Sequence, residues 1–171
     1  MTQATRKTGL LAVRVVLTRA DHQTHRRFSF EVPAACRRLD VQIRYSPKFI
    51  STEASDRLVQ QAVSGQSEMF ASRVGPALAQ RWAADFLDAR LRVPNLVTIS
   101  LDDATGTYRG AAHRHSPEQE LWLRPDQASP GLVAAPLPPG RWTLTLTAHT
   151  VVSDQCVVDI QIGAETASNP S

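Results

Sequence analysis

The sequence has few cysteines and no long apolar run, and both absences limit the class of protein it encodes. Only Cys36 and Cys156 occur in 171 residues, too few for the disulfide framework of a small secreted domain. They can pair if their strands are neighbours, but reduced thiols are the expectation. The apolar stretch 10–17 is interrupted by Arg14, and no run approaches the length of a membrane span. We therefore expect a cytoplasmic protein without a signal peptide or a membrane partner.

Lysine is scarce as well, since Lys7 and Lys48 are the only two. The other basic residues are arginines scattered along the chain, and the formal net charge is +3. No run of five like charges occurs. Because nucleic-acid binding needs a concentrated basic face, we expect a solvated surface and no nucleic-acid partner.

Common catalytic motifs are missing. The sequence contains no nucleophile elbow, phosphate-binding loop, dinucleotide fingerprint or paired Cys-x-x-Cys motif. Neither cysteine has a histidine near it in sequence. We therefore assign no catalytic residue, no cofactor and no metal ligand, and the sequence favours a non-enzymatic role without deciding it.

The composition is that of one folded domain. Apolar residues make up 42% of the chain and charged residues 20%, which is ordinary for a globular protein. A chain of this length buries a real core, so 1–171 is interpreted as a single domain. The polar ends, 1–8 and 164–171, are expected to be frayed.

Short strands are the dominant pattern. Alternation of apolar and polar residues places one side of each strand in a core and the other in water. Seven stretches show this alternation or are rich in β-branched residues: 10–18, 27–32, 38–45, 95–103, 119–125, 141–152 and 156–163. This pattern predicts a mainly β protein, an antiparallel β-sandwich resembling a jelly roll. Trp142 begins the apolar side of one strand and is predicted to be buried.

Helical spacing replaces the alternation between Thr52 and Leu91. Thr52 or Ser51 is a candidate cap for a first helix, and Gly65 weakens that helix. Pro76 suits the first turn of a second helix, in which a stripe of Leu78, Trp82 and Phe86 recurs. The sequence thus predicts a two-helix insertion, 52–91, between strands. An apolar stripe of this width is expected to pack against another surface. We favour packing on the chain's own sandwich, in a monomeric protein. The alternative is packing on a second subunit, in a weak dimer.

Two stretches contain histidines in patterns that resemble metal sites. His149 alternates with threonines on a predicted strand, and a His-x-His pair is lacking because Thr147 occupies the earlier position; a strand-surface histidine is favoured. His113 and His115 are spaced as a chelating pair, beside Arg109 and Arg114. These four residues form a candidate ligand or anion site. A metal site formed by the two histidines is an alternative. A polar loop that binds no ligand is the favoured interpretation.

Three segments carry a resemblance to a known family. They read FSFEVPAACRRLDVQIRYSP at 28–47, NLVTISLDDATGTYRGAAHRHS at 95–116 and ASPGLVAAPLPPGRWTLTLTAH at 128–149. Over about 28–162 the sequence resembles the N-terminal domain of CehA/McbA-type metallohydrolases, which belong to the polymerase-and-histidinol-phosphatase (PHP) group of phosphoesterases. The helical insertion is longer than is usual there. Ser129, Leu132 and Ala135 replace residues common in that family, which blurs inference about a ligand at that loop.

The resemblance implies an accessory β-sandwich without the catalytic part. In the family the metal-binding histidines lie in a separate C-terminal domain, and this chain ends before such a domain would begin. The first hypothesis is therefore a non-catalytic accessory or binding domain. The second is a component of a metal-dependent phosphoesterase whose PHP-type catalytic chain is separate. The third is a small metal- or anion-dependent hydrolase that uses His113 and His115.

Overall fold

The computed structural model describes residues 5–89, 91–112 and 115–167, most of which lie in β-strands. The strands are β1 (Thr5–Leu17), β2 (Thr24–Val32), β3 (Cys36–Ser46), β4 (Leu96–Asp102), β5 (Tyr108–Ala111), β6 (Glu118–Leu123), β7 (Gly140–Thr150) and β8 (Cys156–Ala167). Two α-helices, α1 (Thr52–Val74) and α2 (Pro76–Asp88), lie between β3 and β4, and a short 3-10 turn, Arg19–Asp21, follows β1.

The strands form two antiparallel sheets of four. The first sheet has the order β1-β8-β3-β6 and the second has the order β2-β7-β4-β5. Buried side chains of both sheets belong to one hydrophobic cluster, so the sheets face each other across a common core. Eight strands in this order make a jelly roll. The predicted β-sandwich with a helical insertion is therefore confirmed.

The core forms because apolar residues alternate along the central strands. In β3, Leu39, Val41 and Ile43 are fully buried, while the residues between them face outward. In β7, Leu144 and Leu146 repeat the pattern between threonines. Each strand thus has one apolar and one polar side, which two stacked sheets accommodate.

Trp142 is the largest fully buried side chain, as the sequence predicted. Its Nε1–H donates a hydrogen bond of 2.9 Å to the carbonyl oxygen of Pro138, and its ring packs against Phe30 at 6.3 Å between centroids. The hydrogen bond satisfies the indole donor, which would otherwise be buried without an acceptor. Trp142 therefore attaches the proline-rich segment before β7 to the core.

The strands are longer than the sequence indicated. Residues 5–8 and 164–167, expected to be frayed, pair with one another at the ends of β1 and β8, from Thr5 opposite Ala167 onward. Their backbone hydrogen bonds to the neighbouring strand order them despite their polar side chains. The outermost residues of both termini, 1–4 and 168–171, lie outside the described residues. The structure also adds β5, a four-residue strand that carries no alternation.

The two cysteines do not pair. Both are buried free thiols, although β3 and β8 are neighbouring strands. Cys36 lies opposite Thr166, ten residues along β8 from Cys156. At the rise of a β-strand this separates the cysteines by about 30 Å, far beyond the reach of a disulfide. Burial raises the pKa of both thiols, that of Cys156 to about 11.

The helical insertion forms a compact unit of its own, Phe49–Pro94. α1 begins after Ser51, whose Oγ accepts a hydrogen bond of 3.2 Å from the backbone N–H of Ala54. The helix continues through Gly65 without a break and ends before Gly75. Pro76 then starts α2, as the sequence predicted.

The apolar stripe of α2 is partly covered within this unit. Trp82 packs between Phe70 of α1, at 5.0 Å between ring centroids, and Phe86, at 5.5 Å. Leu78 and Leu87 remain exposed, as does Phe86 in part. Packing of this stripe on the sandwich, and the monomeric state expected with it, stay predictions.

Truncation of Trp142 to alanine should destabilise the protein by about 3–5 kcal/mol, since a fully buried aromatic side chain is lost and a cavity remains. Urea unfolding followed by circular dichroism measures the change. Trp142→Phe is the matched control: it keeps most of the apolar volume and loses the indole donor, so its cost should be clearly smaller. Equal losses for the two variants would contradict the packing interpretation.

Candidate functional site

The outward side of the first sheet carries a row of four residues that crosses all four strands, and three of the four are polar. The strand register places Ala12 of β1 beside Gln161 of β8, Gln161 beside Gln42 of β3, and Gln42 beside Glu120 of β6. All four residues are exposed. We call this set the central row. Its members lie one strand spacing apart, about 4.8 Å.

The neighbouring row lacks two side chains. It consists of Gly9 in β1, Gly163 in β8, Asp40 in β3 and Trp122 in β6. A Cβ at Gly9 would meet no atom within 4 Å, and one at Gly163 would meet only the carbonyl oxygen of Thr8 at 3.6 Å. The glycines therefore do not relieve crowding. Their effect is to leave a depression, an open groove of about 670 Å³ that we call the outer groove.

Polar side chains of the central row are not used by the protein itself. Within the part of the chain that the structure describes, the side chains of Gln42, Glu120 and Gln161 make no hydrogen bond and no ion pair. Two amides and a carboxylate thus lie side by side with their donors and acceptors open to solvent. Such groups are available to a ligand without first breaking a protein contact.

Two ion pairs, in contrast, flank the central row. Arg14 holds Asp159 through two hydrogen bonds, of 2.7 and 3.0 Å, on one side. On the other side Lys7 lies 3.1 Å from Glu165. The hydrogen bonds from the Arg14 guanidinium lower the pKa of Asp159, and the net shift is downward although desolvation opposes it. The flanks of the groove are therefore largely neutralised, although exposed pairs of this kind contribute little stability.

Trp122 and Arg38 form one end of the outer groove. The guanidinium of Arg38 lies 5.2 Å from the ring centroid of Trp122, and that of Arg124 lies 5.4 Å away. Nε of Arg38 also donates a hydrogen bond of 2.7 Å to Asp40. Cation–π contact and the ion pair fix the position of Arg38. Its terminal nitrogens have no further acceptor among the described residues, so they add donors to the groove.

Sequence reasoning missed these groove residues as a site. Alternation identifies Asp40 and Gln42 as outward residues of β3, which is correct. No pattern in the sequence states that Gln161 and Glu120 are their neighbours, because that depends on the pairing register of strands distant in sequence.

Arg109, the first of the four candidate ligand residues, is buried with an exposed fraction of 1%. Its guanidinium donates to the backbone carbonyl oxygens of Val133, Ala135 and Pro136, at 2.8–3.3 Å. It also contacts the carboxylate of Asp103 at 3.4 Å. The guanidinium lies 5.1 Å from the ring centroid of Trp142. In this arrangement Arg109 binds the chain's own loop.

Gly110, next to Arg109, allows that loop to approach. Its φ is +103°, and a Cβ there would collide with the carbonyl oxygen of Gly131. The backbone N–H of Ala111 donates to that same carbonyl at 2.9 Å. Only glycine fits both the backbone angle and the close contact. Arg109 and Gly110 thus hold the segment around Gly131 in place.

The remaining candidate residues give no assembled site. His113 and Arg114 lie outside the described residues, and His115 is exposed. The ligand or anion site proposed for Arg109, His113, Arg114 and His115 therefore stays a prediction.

His149 is an exposed residue of β7. Its Nε2 lies within hydrogen-bonding distance, 2.8 Å, of the hydroxyl of Thr98 on β4, as expected for a strand-surface histidine. Across residues 5–89, 91–112 and 115–167, no three histidine, cysteine, aspartate or glutamate side chains are grouped as metal ligands would be.

Comparison with known proteins adds no family. No protein-family model matches the chain, and no curated protein is significantly similar to it. Among the described helices, neither α1 nor α2 has the length and apolarity needed to cross a bilayer.

Replacing Arg109 with methionine should destabilise the protein by about 3 kcal/mol or more, because buried carbonyl oxygens and the Asp103 carboxylate lose their donor. Chemical denaturation measures the loss. Arg141→Met is the control: Arg141 is exposed and pairs with Glu31 at 3.3 Å, so its cost should stay within about 1 kcal/mol. A stable Arg109→Met protein would contradict the structural role.

Acid should remove the stabilisation that Asp103 provides. Burial raises the pKa of Asp103, but hydrogen bonds from Thr105 and Thr107 and the charge of Arg109 outweigh this, and the net shift is downward. A carboxylate with a lowered pKa stabilises the fold above its unfolded pKa of about 4, and this contribution is lost as pH falls through the folded pKa. Between about pH 6 and about pH 2, on either side of that pKa, the free energy of unfolding of wild type should therefore fall more than that of Asp103→Asn.

The measurement is urea unfolding across that range. Asp126→Asn is the matched control, because Asp126 is exposed in a turn of the same unit and makes no contact with Arg109. This variant should follow wild type. If Asp103→Asn also followed wild type at every pH, the carboxylate would not be the stabilising form.

Proposed function

We propose that this chain is a non-catalytic β-sandwich domain that binds a ligand through the outer groove. The observation that carries the proposal is the central row, in which Gln161, Gln42 and Glu120 lie on three adjacent strands with unused polar groups. These side chains stand on a hydrogen-bonded sheet whose opposite side is the buried core. Such a support holds binding groups in place more firmly than a loop does.

The shape of the groove also supports binding. Its volume, about 670 Å³, lies within the usual range for small-molecule sites. The depression exists because Gly9 and Gly163 carry no side chain where the space for one is free. A strand interior gains no stability from glycine. Gly9 lies at a register shift of β1, where glycine is common. For Gly163, a close approach by a ligand accounts for the residue better than packing does.

The family resemblance supports a further part of the proposal, that this binding domain acts together with an enzyme. A CehA/McbA-like accessory domain would act with a PHP-type catalytic chain, and ligand binding here would bring that chain to its substrate. We include a cytoplasmic location in the proposal. Two buried thiols that the fold keeps about 30 Å apart support it, since free cysteines suit a reducing compartment.

A ligand of the outer groove should raise the melting temperature of the wild-type protein, because it binds only the folded state. At about 100 times its Kd the ligand adds about 2.7 kcal/mol, or a rise of roughly 5–10 °C for a domain of this size. Thermal unfolding with separate sets of sugars, dicarboxylates, amino acids, short peptides and nucleotides measures it. Gly163→Leu, which fills the groove, should abolish the shift.

Val16→Leu is the matched control for that substitution. Val16 lies on the same outward side in β1, opposite Val157, and does not line the groove. This variant should keep the ligand-induced shift. The proposal fails if no ligand class shifts the wild-type melting temperature, or if the shift persists in Gly163→Leu.

A further inference from the structure

We propose that the ligand of the outer groove is a neutral oligosaccharide, which lies across the strands along the central row. This inference rests on the proposed function and names its ligand class. It follows from four features of the groove: its charges, its hydrogen-bonding groups, the spacing of those groups and the shape of the groove floor.

The residues that line the groove carry two positive and two negative charges. Lys7 and Arg38 are positive and Asp40 and Glu120 are negative. The first three already have partners, since Lys7 pairs with Glu165 and Arg38 pairs with Asp40. A highly charged ligand such as a nucleotide gains no net attraction from such a lining. A neutral polar ligand avoids the desolvation cost of a charge.

The hydrogen-bonding groups suit hydroxyls. Each glutamine amide offers donors and an acceptor, Glu120 offers acceptors, and Arg38 offers its terminal N–H donors. A sugar hydroxyl both donates and accepts, so neighbouring hydroxyls can engage an amide on one side and a carboxylate on the other. Among the described residues Glu120 has no hydrogen-bond or ion-pair partner. It supplies the strongest of these bonds, because a charged acceptor strengthens a hydrogen bond.

The spacing of these groups suits a chain of sugars. Gln161, Gln42 and Glu120 repeat at the strand spacing of about 4.8 Å, which is close to the length that one pyranose ring adds to an extended chain. A chain that crosses the strands thus presents successive rings to successive strands. A single small ligand would leave part of the row without a partner.

The shape of the groove floor accommodates sugar rings. Ala12, Gly9 and Gly163 carry a methyl group or no side chain, so a ring can approach the backbone at these three positions. Trp122, held by Arg38 and Arg124, forms the wall at the other end. A protein partner fits this surface less well, since protein interfaces centre on buried aromatic or apolar anchors and the central row offers amides and a carboxylate instead.

The test is calorimetric titration of the full chain with four neutral hexasaccharides: cellohexaose, maltohexaose, xylohexaose and chitohexaose. A hexamer of galacturonic acid serves as the charged comparison. We expect at least one neutral hexasaccharide to bind and the uronic acid hexamer to bind more weakly. Gln42→Ala should weaken the affinity about fivefold, the loss of one hydrogen bond, and Glu120→Ala about tenfold or more, the loss of a charged one.

Gly163→Leu should abolish binding, while Val16→Leu should leave it unchanged. Because Gln42 and Glu120 are exposed, their variants test the site even if the leucine variant misfolds. The inference is overturned if none of the neutral hexasaccharides binds, or if binding is equal in wild type and both alanine variants. If a peptide or another ligand class shifts the melting temperature in a groove-dependent way, the saccharide inference fails and the proposed binding function stands.

Discussion

The pairing of β8 on both of its edges is the constraint on which the first sheet depends. β8 lies between β1 and β3, with Ile160 inside the core and Gln161 outside. A slip of one residue would exchange these sides and expose the buried apolar residues. The hydrophobic core thus determines the register, and the register determines that Gln161 stands beside Gln42. The outer groove is in this sense a consequence of the core.

A β-bulge in β1 refines this arrangement. The pairing of β1 with β8 shifts between Gly9 and Leu11. Plain alternation from Ala12 would direct Leu10 and Thr8 outward, whereas the extra residue turns Gly9 and Lys7 to the outer side and leaves Leu10 partly buried against the core. A bulge re-aims side chains in this way. Because of the extra residue in the bulge, Gly9 and not Leu10 faces the groove, and this creates the depression.

These two features also explain what the sequence could predict. Alternation identifies most strands and the burial of Trp142, because inward and outward residues differ in polarity along a single strand. The two helices follow from their own local spacing and from Ser51 and Pro76. Neighbours across strands, such as Glu120 and Gln42, depend on pairing between distant segments, and the bulge at Leu10 breaks the alternation from which faces are assigned. The fold was therefore predictable from local pattern, whereas the groove was not.

Two arginines show why residue type alone does not identify a site. In the sequence, Arg109 stands out beside two histidines, whereas Arg38 is one of a pair in an ordinary strand. In the structure the Arg109 guanidinium is enclosed by three carbonyl oxygens, a carboxylate and an indole ring. Arg38 is held by one carboxylate and one ring and keeps its terminal donors. A guanidinium whose donors are all used stabilises the fold, and one that is fixed in position with donors to spare is prepared for a ligand. By this criterion the binding site that we propose lies on the outward side of the first sheet, with Arg38 and the central row.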